Sequence, residues 1–156
     1  MANVYVLRNM PYLSDEEIEN RTVQLLAEFQ KVNGPLLKPP IPVDYIVEGF
    51  FDLRFDWDLI EDTEDAPILA RLDPASKTIT MNTGRRGFFE TYFGSEKFTF
   101  AHELGHWKLH IYESEYRQLS FDVEGQKAFL CRSNRTDRLE IQANIFASCL
   151  LMPKQM

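Results

Sequence analysis

The sequence predicts an α+β domain, and three stretches carry that prediction. Apolar residues recur at helical spacing over residues 15–32. Two short β-prone runs flank a turn within residues 68–82. Residues 138–152 form a second, strongly apolar helical run. A length of 156 residues suits one domain. With 44% apolar residues and twelve Phe, the chain can bury an aromatic-rich core.

The elements follow in order. Ser14-Asp15-Glu16-Glu17 has the pattern of a capping box, with Ser14 as N-cap and Glu17 three residues on. Ile18, Val23, Leu25, Leu26 and Phe29 supply the apolar face of the helix that follows, which should stop near Asn33-Gly34. Residues 34–42 are proline-rich and read as a connector. A short helix starts at Pro42 with Val43, Ile46 and Val47 on one face, and Gly49 is expected to end it. Residues 51–55 alternate apolar and polar and predict a strand. Residues 58–65 are acidic and read as an exposed loop. Residues 68–72 and 78–82 flank Asp73-Pro74-Ala75-Ser76-Lys77, a hairpin signal. Residues 83–87 are expected to be flexible, and residues 98–110 helical. Residues 111–138 show no clear period and read as a long connection. In the last helix Leu139, Ile141, Ala143, Ile145, Phe146, Ala147, Leu150 and Leu151 make a wide apolar face, and Pro153 stops it.

Composition narrows the function. A formal net charge of −7 argues against a broad nucleic-acid-binding face. Cys131 and Cys149 have neither disulfide-framework nor zinc-knuckle spacing, and Cys149 reads as a buried small hydrophobe. No stretch approaches the ~20 apolar residues of a membrane helix, and the N-terminus lacks a signal-peptide pattern. A cytoplasmic location without membrane contact is therefore expected.

Residues 102–106 read His-Glu-Leu-Gly-His. Positions four apart on a helix share a face, so His102 and His106 can aim two imidazoles at one ion. Glu103 adjoins the first of them and can act as general base on a water held there. Imidazoles suit zinc, and a catalytic zinc takes three protein ligands plus an open position. Manganese or iron would tolerate the same donors. All three His of the chain fall within nine residues, against a chance match. His110 lies roughly 12 Å along the helix from His102, too far to share one ion at bonds near ~2 Å. It reads as a hydrogen-bonded structural residue.

The third ligand decides the subclass. A metzincin requires Gly at position 109 and His at 112, where this chain has Leu109 and Tyr112. A gluzincin draws a Glu from a later helix. Glu113, Glu115 and Glu124 lie on no clear helix, whereas Glu140 sits on the strong last one. Asn144, one turn on, can fix the orientation of a ligand His through a hydrogen bond. Ala143 and Ala147 are small enough to allow close approach of the two helices.

The stretches Phe98-Thr99-Phe100-Ala101-His102-Glu103-Leu104-Gly105-His106-Trp107-Lys108-Leu109-His110 and Glu140-Ile141-Gln142-Ala143-Asn144-Ile145-Phe146-Ala147, closing in Leu150-Leu151-Met152-Pro153, resemble the ImmA/IrrE-type metallopeptidases. The resemblance spans residues 40–153, with residues 1–33 as an N-terminal helical segment of the same single domain, 1–156. It implies a zincin-like domain, a small, mostly antiparallel sheet packed against the HExxH helix and a C-terminal ligand helix. It implies one Zn2+ held by His102, His106 and Glu140. The implied activity is intracellular cleavage of a regulatory protein, such as a helix-turn-helix transcriptional repressor. A zinc-containing sensor or interaction module that binds a repressor without cutting it is the competing expectation. Tyr92, Tyr112, Tyr116 and His110 are candidates to stabilise an oxyanion. Residues 78–82 are expected at a sheet edge, where an extended peptide can add.

Overall fold

The computed structural model describes residues 13–36, 40–61, 68–112, 129–132 and 138–154, with the backbone alone for residues 111–112 and 129–132. Helix α1 (Asp15–Asn33) opens with the capping box. The Glu17 amide donates to Ser14 Oγ at 3.2 Å, and the Ser14 amide donates to Glu17 Oε2 at 2.7 Å. Two of the helix's orphan amides are thereby satisfied. Its buried stripe is Ile18, Thr22, Leu25, Leu26 and Phe29, and it packs on the last helix. Val23, expected on that stripe, is 40% exposed. Thr22 takes the place one turn after Ile18 and turns its hydroxyl back to Glu19 O.

Helix α2 is one α-turn (Val43–Tyr45) that continues as a wider π-helical turn (Ile46–Phe50). Gly49 does not end it. Strand β1 (Arg54–Asp58) begins later than the alternation at residues 51–55 suggests. Asp52 has a φ of 57°, a left-handed conformation incompatible with a strand, and it turns the chain before β1 starts. The alternation carries on through Phe55 and Trp57, whose side chains face the helices.

Strands β2 (Ile68–Asp73) and β3 (Thr78–Asn82) form the expected antiparallel hairpin. The sheet order is β1-β3-β2-β4, with β1 parallel to β3 and β2 antiparallel to both of its neighbours. Two of the three pairings are antiparallel, in line with the expected mostly antiparallel sheet of an α+β domain. One expectation fails here: β3 is interior, flanked by β1 and β2, so its backbone cannot receive an added peptide strand. The edges among the described residues are β1 and β4. Strand β4 (Phe129–Arg132) lies inside the stretch read as an irregular connection. The rest of that stretch, residues 113–128 and 133–137, falls outside the described residues, as do residues 62–65 of the acidic stretch 58–65.

Residues 83–87, expected to be flexible, are ordered by Asn82. Its Oδ1 accepts from the Ile60 and Gly84 amides, and its Nδ2 donates to Ile60 O and Ile68 O. This buried amide ties the end of β3 to Ile60, which is itself buried, and nucleates a 3-10 turn (Thr83–Arg85). Helix α3 (Arg86–Thr91) follows. Helix α4 (Ser95–Gly105) starts earlier than expected, at Gly94 with φ 85°, and runs on as a π-helical segment (His106–Tyr112). Phe100 of α4 stacks on Phe55 with ring centroids 4.3 Å apart, seating the helix on the sheet.

Helix α5 (Arg138–Leu151) packs closely on α4. Gly105 makes that approach possible: a Cβ there would lie 3.2 Å from the Ala143 Cα and 3.2 Å from Phe146 Cβ. Both obstructing atoms belong to fixed parts of α5, so neither can swing away. Gly105→Ala should gain about 1 kcal/mol of helix propensity and lose about 1–3 kcal/mol to overpacking. The expected net is a loss of up to ~2 kcal/mol in urea unfolding of the metal-free protein. A more stable variant would show that α4 and α5 can part freely.

Candidate metal centre

His102 and His106 sit one turn apart where α4 passes into its π-helical continuation. Their rings are 4.8 Å apart and nearly perpendicular. Glu140, in the first turn of α5, reaches both. Its Oε2 lies 2.9 Å from His102 Nε2, and its Oε1 lies 3.1 Å from His106 Nε2. One ligand atom from each of the three residues falls within 4.8 Å of the others, and all three residues are buried. A tetrahedral zinc with bonds near 2.0–2.2 Å holds its ligand atoms roughly 3.3–3.6 Å apart. A small outward movement of the carboxylate therefore opens the space for an ion.

The polarity of the contacts also fits a cation. Asn144 Oδ1 lies 2.8 Å from His102 Nδ1. With Nδ1–H donating to that oxygen, a neutral His102 presents the Nε2 lone pair to Glu140. Two acceptors at 2.9 Å require a positive centre between them. Burial would raise the Glu140 carboxyl, but hydrogen bonds from His102 and His106 outweigh it and hold the carboxyl well below the usual range. Glu140 is thus a carboxylate at any ordinary pH, as a metal ligand must be.

His110 and Gln142 extend the site. His110 Nδ1 is 3.0 Å from His106 Nδ1, and His110 Nε2 is 2.9 Å from Gln142 Oε1. His110 is completely buried. Burial, then the neighbouring His106, push its pKa down to about 3, so it stays neutral. Glu103, also fully buried, follows His102 on the same helix. Tyr92 ends α3, stacks on Phe88 and is 59% exposed. The Tyr112 side chain and Tyr116 lie outside the described residues. Cys149 is half-buried rather than buried.

The structure thus brings His102, His106, Glu140 and Asn144 together and adds Gln142, which sequence reasoning missed. Gln142 is two residues from Glu140, and positions two apart do not share a helix face. Only the placement of His110 reveals it.

A small mixed sheet, a helix bearing two histidines and a later helix bearing the third donor define an α+β fold of the zincin kind. The family described as IrrE N-terminal-like domain, a peptidase family, matches residues 94–156. That segment contains α4, α5 and all three prospective ligands, and it agrees with the resemblance to the ImmA/IrrE peptidases drawn from the motifs. No curated protein matches the chain. No helix among the described residues is long and apolar enough to cross a membrane.

The pH dependence of stability follows from the two perturbed groups. His110 is held below its unfolded pKa, so the unfolded chain takes up a proton that the folded one does not. Stability is then lost as pH falls below about 6.5, toward about 3. Between pH 7 and pH 5 the metal-free protein should lose about 2 kcal/mol from this group. Glu140, held low, adds a further loss only below its unfolded value of 4.5. Denaturant unfolding at stepped pH measures both, and equal stability at pH 7 and pH 5 would contradict the assignment of a neutral, buried His110.

Proposed function

We propose that this protein is a cytoplasmic zinc-dependent endopeptidase that cleaves a regulatory protein, a helix-turn-helix repressor being the expected substrate. The observation that carries the reading is the convergence of His102, His106 and Glu140 within 4.8 Å, beside the buried Glu103. The match of residues 94–156 to a peptidase family supports it.

His102, His106 and Glu140 would hold the ion, with two neutral donors and one carboxylate. A zinc ion there would supply a Lewis acid for the scissile carbonyl and would lower the pKa of water toward ~7. Glu103 takes the proton of the attacking water and delivers it to the leaving amine. Its burial keeps bulk water from competing for that proton. Asn144 holds the His102 ring in the orientation that faces Glu140. With β3 interior, an extended substrate would pair with an edge strand, and β1 and β4 are the edges among the described residues.

Glu103→Gln should bind zinc as the wild type does and slow cleavage of a repressor by about a hundred- to ten-thousand-fold. The fragments are resolved by mass spectrometry, and the metal by elemental analysis. Wild-type cleavage by this variant would remove Glu103 from the role of base. A stable, uncut complex between the zinc-loaded wild type and the repressor would favour a binding module over a peptidase.

A further inference from the structure

The four groups Glu140, His106, His110 and Gln142 form one unbroken series of contacts. Glu140 Oε1 meets His106 Nε2 at 3.1 Å, the two Nδ1 atoms of His106 and His110 meet at 3.0 Å, and His110 Nε2 meets Gln142 Oε1 at 2.9 Å. His106 and His110 are fully buried, and Gln142 is 4% exposed. Each neutral imidazole carries one N–H and one lone pair. The series therefore has only two coherent directions. In one, the Gln142 carbonyl accepts from His110 Nε2–H, His110 Nδ1 accepts from His106 Nδ1–H, and the His106 Nε2 lone pair faces Glu140, a pair of acceptors that needs a cation between them. In the other, every bond is reversed and His106 turns an N–H toward Glu140. Each ring keeps one proton in both directions, so no net charge changes.

We propose that His110 and Gln142 are positioning residues that set the first direction, fixing His106 as the Nδ1–H tautomer so that its Nε2 lone pair is presented to a metal ion. The inference rests on the metal-centre reading above. The oxygen of the Gln142 amide is the atom that faces His110, which is the polarity the first direction needs. The amide nitrogen of Gln142 is buried and meets no hydrogen-bond partner among the described residues. A buried amide left half-satisfied is costly, and such groups in native structures call for a functional reason. The parallel with the other ligand is direct. Asn144 fixes His102 in one step, and Gln142 fixes His106 in two, through His110. Helix α5 thereby supplies one ligand and both of the amides that orient the remaining two.

The test compares Gln142→Glu with Gln142→Met in the full chain. Glutamate keeps an acceptor and cannot donate, while methionine keeps the volume and removes the acceptor. Zinc affinity is read by chelator competition, and the histidine tautomers of the zinc-loaded wild type by long-range 15N–1H NMR. The relay requires Gln142→Glu to hold zinc within about threefold of wild type. It requires Gln142→Met to lose about 10- to 100-fold, the usual penalty for losing an outer hydrogen bond to a ligand. It also requires His110 to carry its proton on Nε2. A packing role alone reverses the order, with methionine tolerated and glutamate harmful. Zinc affinity at the wild-type level in Gln142→Met, or a proton on His110 Nδ1, overturns the relay and leaves the metal centre standing. A wild type that takes up no zinc overturns both. If the Glu variant does not fold, the His110 tautomer in the wild type still decides.

Discussion

The close approach of α5 to α4 is the constraint on which the site depends. Glu140 is a short reach from both histidines only because the two helix backbones nearly touch at Gly105 and Ala143. A Cβ at Gly105 would sit 3.2 Å from the Ala143 Cα and press the two helices apart at the point where the carboxylate reaches across. The same contact seats Phe146, which is completely buried beside Gly105. The aromatic pairs Phe55–Phe100 and Trp57–Phe89 then lock α4 and α3 onto the sheet. Packing and chemistry are thus one design: the buried side of α5 that packs on α4 also delivers Glu140 and Asn144 to the histidines.

Electrostatics gives that packing its sign. A buried carboxylate with two imidazoles has a large desolvation cost, and it is tolerable only when the polar atoms pair. Here every ring nitrogen of the three histidines has a partner, and the partners alternate in a way that concentrates negative character at the centre. On the π-helical winding after Gly105 the His106 and His110 rings lie 5.1 Å apart. Such widened turns recur at functional sites because they re-aim side chains within an otherwise regular helix. The centre is consequently neutral in its outer residues and negative at Glu140, the arrangement that favours a divalent cation.

Much of this was legible in the sequence, and the misses have physical causes. The capping box at Ser14, the hairpin at residues 68–82 and the terminal helix depend on local hydrogen bonds and periodicity, so local pattern reports them. Strand β1 was displaced because one residue, Asp52, adopts a left-handed conformation that periodicity does not encode. Strand β4 went unread because its pairing with β2 spans some sixty residues of chain. The placement of β3 inside the sheet was inverted for the same reason: strand order is set by long-range partners.

The candidate site divides along the same line. His102, Glu103 and His106 share a few residues of one helix, so spacing alone proposed them. Glu140 and Asn144, one turn apart, were legible as a pair on a second helix. The sequence by itself determined those donors and their helical phase, because both follow from covalent spacing and a 3.6-residue turn. Only the tertiary structure decided that the two helices meet at Gly105, and that Gln142 and His110 continue the network. Contacts between residues more than thirty positions apart depend on how helices pack, and no local rule carries that distance.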